Sequence, residues 1–213
     1  RPSPPERAAL ERWIESEWTG SDHPDRGIAL ACWLAINTGH SLRTVLTLEI
    51  SPDLKDDWSL SPADWSLMRR PPKRYNSWSA TANHQRWLRH RADVIQIHPP
   101  QPAREILASL AERVQGQIET LADLLPDAER IEGRFKEICK AKPGLERLLS
   151  GMLKHQLVQR AFDQSKDATL AQLLASHPRS GLPGSCAYAA FSAMEVKRAL
   201  QGSVRVNAAS DSD

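Results

Sequence analysis

Residues 27–50 read GIALACWLAINTGHSLRTVLTLEI, and this stretch decides the fold. Its first dozen residues are almost wholly apolar, well short of the ~20 residues that a membrane-crossing helix needs. They predict a buried core helix over about residues 26–37. Thr38 and Gly39 end that helix, because glycine adopts the left-handed conformation that stops one. The following SLRTVLTLEI predicts a second, short helix.

Working outward, Pro4 and Pro5 precede ERAALERWIESEW, where Leu10, Trp13 and Ile14 recur at helical spacing. Between residues 58 and 97 the pattern changes. WSLMRR and ADVIQI have the short, alternating or β-branched character of strands. Beyond Pro102 the pattern returns to helix, with expected helices near 102–123, 127–140, 144–163, 168–176 and 185–200. Breaks stand at Pro126, Pro143–Gly144 and the loop HPRSGLPGS. The expected fold is therefore mainly α with a small antiparallel β-sheet insert, an α+β chain. Residues 1–203 form one domain, 58–97 the sheet with its hairpin, and 204–213 a disordered tail.

The chain has 213 residues, 40% of them hydrophobic and 25% charged, which suits a globular domain. No apolar run is long enough for a membrane span, and the start has no charged segment leading into an apolar signal region. A first residue other than Met is what a piece of a longer protein shows. Cys32, Cys139 and Cys186 stand far apart without a CxxC pair. They read as buried thiols in a reducing, cytoplasmic setting, and no metal or other cofactor is expected.

Formal net charge is only +2, but its distribution is uneven. Residues 65–92 hold Arg69, Arg70, Lys73, Arg74, Arg86, Arg89 and Arg91 and no acid. That leaves 21 basic against 26 acidic residues elsewhere. Cations at this density neutralise phosphates, and Trp65, Tyr75, Trp78 and Trp87 offer faces for sugars or bases. Double-stranded DNA is the expected partner. The alternative is a solvated loop whose tryptophans pack back onto the body beneath the arginines.

The order of these segments resembles the catalytic domain of the tyrosine recombinases, the phage-integrase family. LAINTGHSLRTVLTLEI is similar to that family's apolar helix, T-G-L-R turn and following helix. The strand region 58–97 falls where the family has a three-stranded sheet with a basic hairpin, and VIQIHPPQPAREILASL resembles its strand-to-helix passage. GMLKHQLVQRAFDQSKDATLAQLLASH, residues 151–177, aligns without a gap with the family's H-x-L-R-H helix and D-L-x-x-x-Q-x-x-L-G-H segment. Tyr188 follows where the nucleophilic tyrosine belongs. The resemblance covers roughly residues 5–200 and implies a DNA strand cleaved and rejoined through a 3′-phosphotyrosine.

Such chemistry needs two arginines to clamp the phosphate, a lysine to protonate the leaving oxygen and histidines to move protons. The likeness assigns His177, Tyr188 and either Lys73 or Arg74 to these roles. It sets Ser41 at the first arginine, with Arg43 two residues on. Lys154 stands at the second arginine, keeping the charge without the fork, and His155 at the later histidine. A rival register starts the motif at His155 and puts Val158 at the arginine.

Three functions follow. The first is a DNA-binding relative with a degenerate site, linked to recombination or integration of a mobile element. The second is an active recombinase with a rearranged clamp that draws on Lys154 or Arg160. The third is a helical protein-interaction module. A recombinase or other protein partner and a homo-oligomer stay open, as do plainer roles: Tyr188 as a packing aromatic, His177 as a helix terminator, Lys154, His155 and Arg160 as a solvated face, and Arg43 paired with Glu49.

Overall fold

Pro4 and Pro5 open helix α1 (Pro4–Thr19) with preset φ angles. Glu6 reaches back to accept from the Ser3 amide (2.6 Å) and hydroxyl (2.8 Å), which lowers its pKa. Leu10, Trp13, Ile14, Glu17 and Trp18 form the buried stripe at helical spacing. The computed structural model describes residues 2–19, 23–54, 58–69, 94–175 and 198–199. The rest of the basic tract (70–92), His177, Cys186, Tyr188, all but residues 198–199 of the helix expected over 185–200, and the tail at 204–213 lie outside the described residues.

Helix α2 (Arg26–Thr38) is the centre of the domain, and every residue from Ala29 to Thr38 is buried. A helix enclosed on all sides must satisfy its own polar groups. Asn37 Nδ2 donates to the Trp33 carbonyl (2.7 Å), and Thr38 Oγ1 donates to the Leu34 carbonyl (2.7 Å). Gly39 caps the helix at φ 73°, as its sequence position predicts.

Ser41 then caps α3 (Leu42–Leu46), accepting from the Thr44 amide at 3.1 Å. The helix expected through Ile50 stops here. Glu49–Ile50 is instead strand β1, in a sheet with β2 (Trp58–Leu60), β3 (Leu67–Arg69) and β4 (Ile95–Ile97) in sequential order. β2–β3 and β3–β4 are antiparallel, but β1 runs parallel to β2, so the sheet is mixed, not antiparallel as expected. On its other side β1 meets residues 119–121. Ile50 N donates to Glu119 O (2.8 Å), and Leu121 N donates to Leu48 O (3.0 Å). Partners on both flanks convert a two-residue segment into strand.

That pairing also shortens the next expected helix. α4 (Gln101–Arg113) ends early, the chain extends past Gly116 to reach β1, and α5 (Leu121–Leu124) follows. A 3-10 turn (Ala128–Arg130) leads into α6 (Ile131–Ala141). The helix expected over 144–163 is two, α7 (Ser150–Leu153) and α8 (Gln156–Ser165), broken at Lys154–His155. α9 (Ala168–Ala175) packs back along α8. α1, α3, α4, α6, α7 and α8 all contact α2. No helix among the described residues is long and apolar enough to cross a membrane.

Candidate nucleic-acid interface

Two turns that are far apart in sequence abut at the C-terminal end of α2. A Cβ built on Gly39 would lie 3.5 Å from Leu157 Cδ2 and 3.6 Å from the Lys154 carbonyl oxygen. The Gly39 turn and the α7–α8 turn are thus in van der Waals range. α3, which carries Arg43, packs against α7, which ends at Lys154. Arg43, Lys154 and His155 are all exposed. Arg43 makes no ion pair with Glu49 or any other described residue.

Arg160 has a different role. Its guanidinium pairs with the Glu11 carboxylate of α1 and donates to Asn37 Oδ1 at 3.4 Å. The side chain is only 13% exposed. A cation held this way joins α8 to α1 and α2 and is neutralised in doing so. It is not available as the second arginine of a phosphate clamp. Ser41 is likewise engaged, its hydroxyl capping α3 and lying 2.8 Å from Thr44 Oγ1.

Arg69 and Ile95 are cross-strand partners, so the described residues on either side of the basic tract, β3 and β4, are neighbouring antiparallel strands. The opposite end of the β3–β4 pair, where β3 begins and β4 ends, is braced by Asp64. Its carboxylate accepts from the Ser66 amide (3.1 Å), Ser66 Oγ (2.7 Å) and Gln96 Nε2 (3.1 Å), with His98 Nδ1 at 3.6 Å. The bonds from Ser66 chiefly lower the Asp64 pKa, so it stays ionised across the neutral range.

Arg69 itself differs from the expectation of a phosphate contact. It is 2% exposed and stacks over the Trp58 ring, 5.0 Å from the centroid. Trp58 is its directly opposed partner on β2, so the contact is a cross-strand cation–π pair. The tract's first arginine belongs to the sheet. Trp65, at φ 57°, packs against the core. Arg70, Lys73, Arg74, Arg86, Arg89 and Arg91 lie outside the described residues, as do His177 and Tyr188.

Cys32 and Cys139 are free, buried thiols, as expected. Burial pushes the Cys139 pKa up to about 11 and that of Cys32 well above the usual thiol range. Among the described residues no group of His, Cys, Asp and Glu is placed to hold a metal.

A feature that the sequence did not disclose is a cleft of about 890 Å³ at the other end of α2, between residues 23–28, α4 and α6. Its lining comes from separate segments, and no local motif joins them.

The chain matches no protein-family model, no curated protein and no solved structure.

Proposed function

We propose that this chain binds double-stranded DNA through the basic tract 70–91 and the paired turns bearing Arg43 and Lys154. In this reading it is a relative of the tyrosine-recombinase catalytic domain that lacks full strand-transfer activity. The carrying observation is the contact of the Gly39 turn with Lys154 and Leu157. The resemblance draws its phosphate-clamping groups from these two places. Exposed cations on adjoining turns, and a tract between β3 and β4 in the sequence with six further cations and no acid, suit a phosphate backbone.

The reading stops short of catalysis on chemical grounds. Stabilising the charge that develops on a phosphate under nucleophilic attack calls for preorganised, forked donors. Ser41 caps a helix, Lys154 offers a point charge and Arg160 is neutralised by Glu11. Loss of one such contact typically costs ~10²–10³ in rate. Two losses leave Tyr188 without the field that would make it a nucleophile.

The test is fluorescence anisotropy on a labelled duplex at two salt concentrations, with the wild type beside an Arg70/Lys73/Arg74→Ala variant. Arg69 is left intact because it is part of the sheet. The expected result is binding that weakens steeply with salt. The variant should show a log–log salt slope smaller by about 3, one unit for each lost phosphate contact. Salt-insensitive or absent binding sinks the proposal and leaves the tract as a protein interface. A covalent adduct of Tyr188 on nicked DNA would instead establish an active recombinase.

A further inference from the structure

The cleft at the start of α2 lies away from the turns just described, and nothing in the DNA-binding reading uses it. At about 890 Å³ it falls within the usual range for small-molecule sites, roughly 300–1,000 Å³. Ile28, Ile106, Leu110, Leu125 and Ile131 supply its apolar lining. Arg134 is held in place by Asp25, through bonds of 3.0 and 3.4 Å, and by Glu137 at 3.0 Å. That removes two of the four lining carboxylates and one guanidinium from recognition. Arg113 and Arg130 remain on the lining, together with the carboxylates of Asp127 and Glu129. Arg113 and Arg130 make no ion pair among the described residues.

Gly133 leaves one wall of the cleft open. It stands inside α6 and lines the cleft, and a Cβ built on it would meet nothing within 4 Å. Glycine is a poor residue for a helix interior, and no protein atom requires one at this point. Its effect is to bare the backbone of α6 to the cleft, which admits a closer approach by whatever enters.

We infer that the cleft binds a small amphiphilic anion, a carboxylate or phosphate monoester on an apolar body, with Arg113 and Arg130 on the acid and the apolar lining on the body. A charge-assisted contact to a guanidinium adds both affinity and orientation, while the lining alone accepts the neutral part of such a ligand.

The probes are anilinonaphthalene sulfonate and N-phenylnaphthylamine, which share an aromatic body and differ in the anionic group. Both are titrated by fluorescence against the full chain, with near-ultraviolet circular dichroism confirming native packing. The sulfonate should bind saturably at one site and about tenfold or more tighter than the amine. Arg113→Ala/Arg130→Ala should erase that difference and leave the amine unchanged. Gly133→Phe, projecting into open space, should weaken both probes at least tenfold. Equal binding of the two probes, no saturable binding, or sulfonate binding indifferent to both variants overturns the inference. A failed DNA assay leaves it untouched, because the cleft and the paired turns lie at opposite ends of α2.

Discussion

Gly39 and Gly133 predict opposite signs for the same substitution. Gly39 holds φ 73°, ψ 18° at the end of α2, a left-handed conformation that costs an L-residue roughly 1–2 kcal/mol. The added Cβ would sit 3.5 Å from Leu157 Cδ2 and 3.6 Å from Lys154 O, both ordinary contact distances. The packing term is therefore small, and Gly39→Ala should destabilise by about 1–2 kcal/mol from the backbone alone. Gly133 is exposed, helical and free of any neighbour within 4 Å of an added Cβ. Gly133→Ala should stabilise by about 0.5–1 kcal/mol through helix propensity and the smaller entropy of the unfolded chain. Urea unfolding monitored by far-ultraviolet circular dichroism reads both, with unchanged m values showing that compactness is not altered. A loss above about 4 kcal/mol at Gly39 would mean a steric clash, and the two turns would then be closer than described. A stability unchanged or raised at Gly39 would mean that the turn is not left-handed. The second result would remove the geometric support for placing Arg43 and Lys154 on adjoining turns.

Two further predictions follow from buried and capped groups. Asp123 Oδ2 accepts from the Thr120 amide (2.8 Å), the Glu119 amide (3.0 Å) and Thr120 Oγ1 (3.1 Å), and the backbone bonds chiefly lower its pKa. A carboxyl with a depressed folded-state pKa contributes stability above its unfolded value and loses it as pH falls through the folded one. Asp123→Ala should thus cost about 1 kcal/mol at pH 7. That cost should shrink as pH falls below about 4, checked by urea titrations at several pH values. A cost that does not change with pH would show that the carboxylate's charge is not what caps α5. Cys32 and Cys139 are buried with raised pKa values, Cys139 to about 11. At pH 8 both should resist iodoacetamide in the native protein and react once urea is added, as read by peptide mass spectrometry. Rapid native labelling of Cys32 would mean that α2 is not enclosed.

What the sequence disclosed divides by range. The buried stripe of α1 follows from spacing within a single helix, and Leu10, Trp13 and Ile14 are all in it. The uniform apolarity of residues 27–36 foretold burial on every side, and Gly39 foretold the stop. The elements that were missed depend on partners distant in the chain. β1 exists because Trp58–Leu60 and residues 119–121 lie on either side of it. The break between α4 and α5 exists because the chain must extend to supply one of those partners. The break at Lys154–His155 sits beside Gly39. A contiguous helix there would carry residues 154–157 past the turn they pack against. Local propensity favours helix at all three places, and tertiary pairing overrides it.

The candidate site shows the same division, and Arg69 shows that part of it was recoverable. Counting charge over residues 65–92 treats every arginine as solvent-facing. Alternation along a strand does not: Leu67 and Arg69 share one face and Met68 takes the other. Once Leu67 is assigned to the core, Arg69 must point inward, where a bare guanidinium is costly. It then needs an electron-rich neighbour, and antiparallel pairing supplies Trp58 directly opposite. Strand period therefore has to be applied before charge is summed. Six of the tract's cations remain for the phosphate backbone after that correction, still with no acid among residues 65–92. The electrostatic case for DNA survives the loss of its first arginine. Arg160 goes the other way, because Glu11 lies 149 positions from it in the chain and no local pattern announces their pairing. Under the proposed reading that pairing removes Arg160 as a substitute clamp arginine, so the charge that favours binding and the geometry that argues against cleavage rest on different residues.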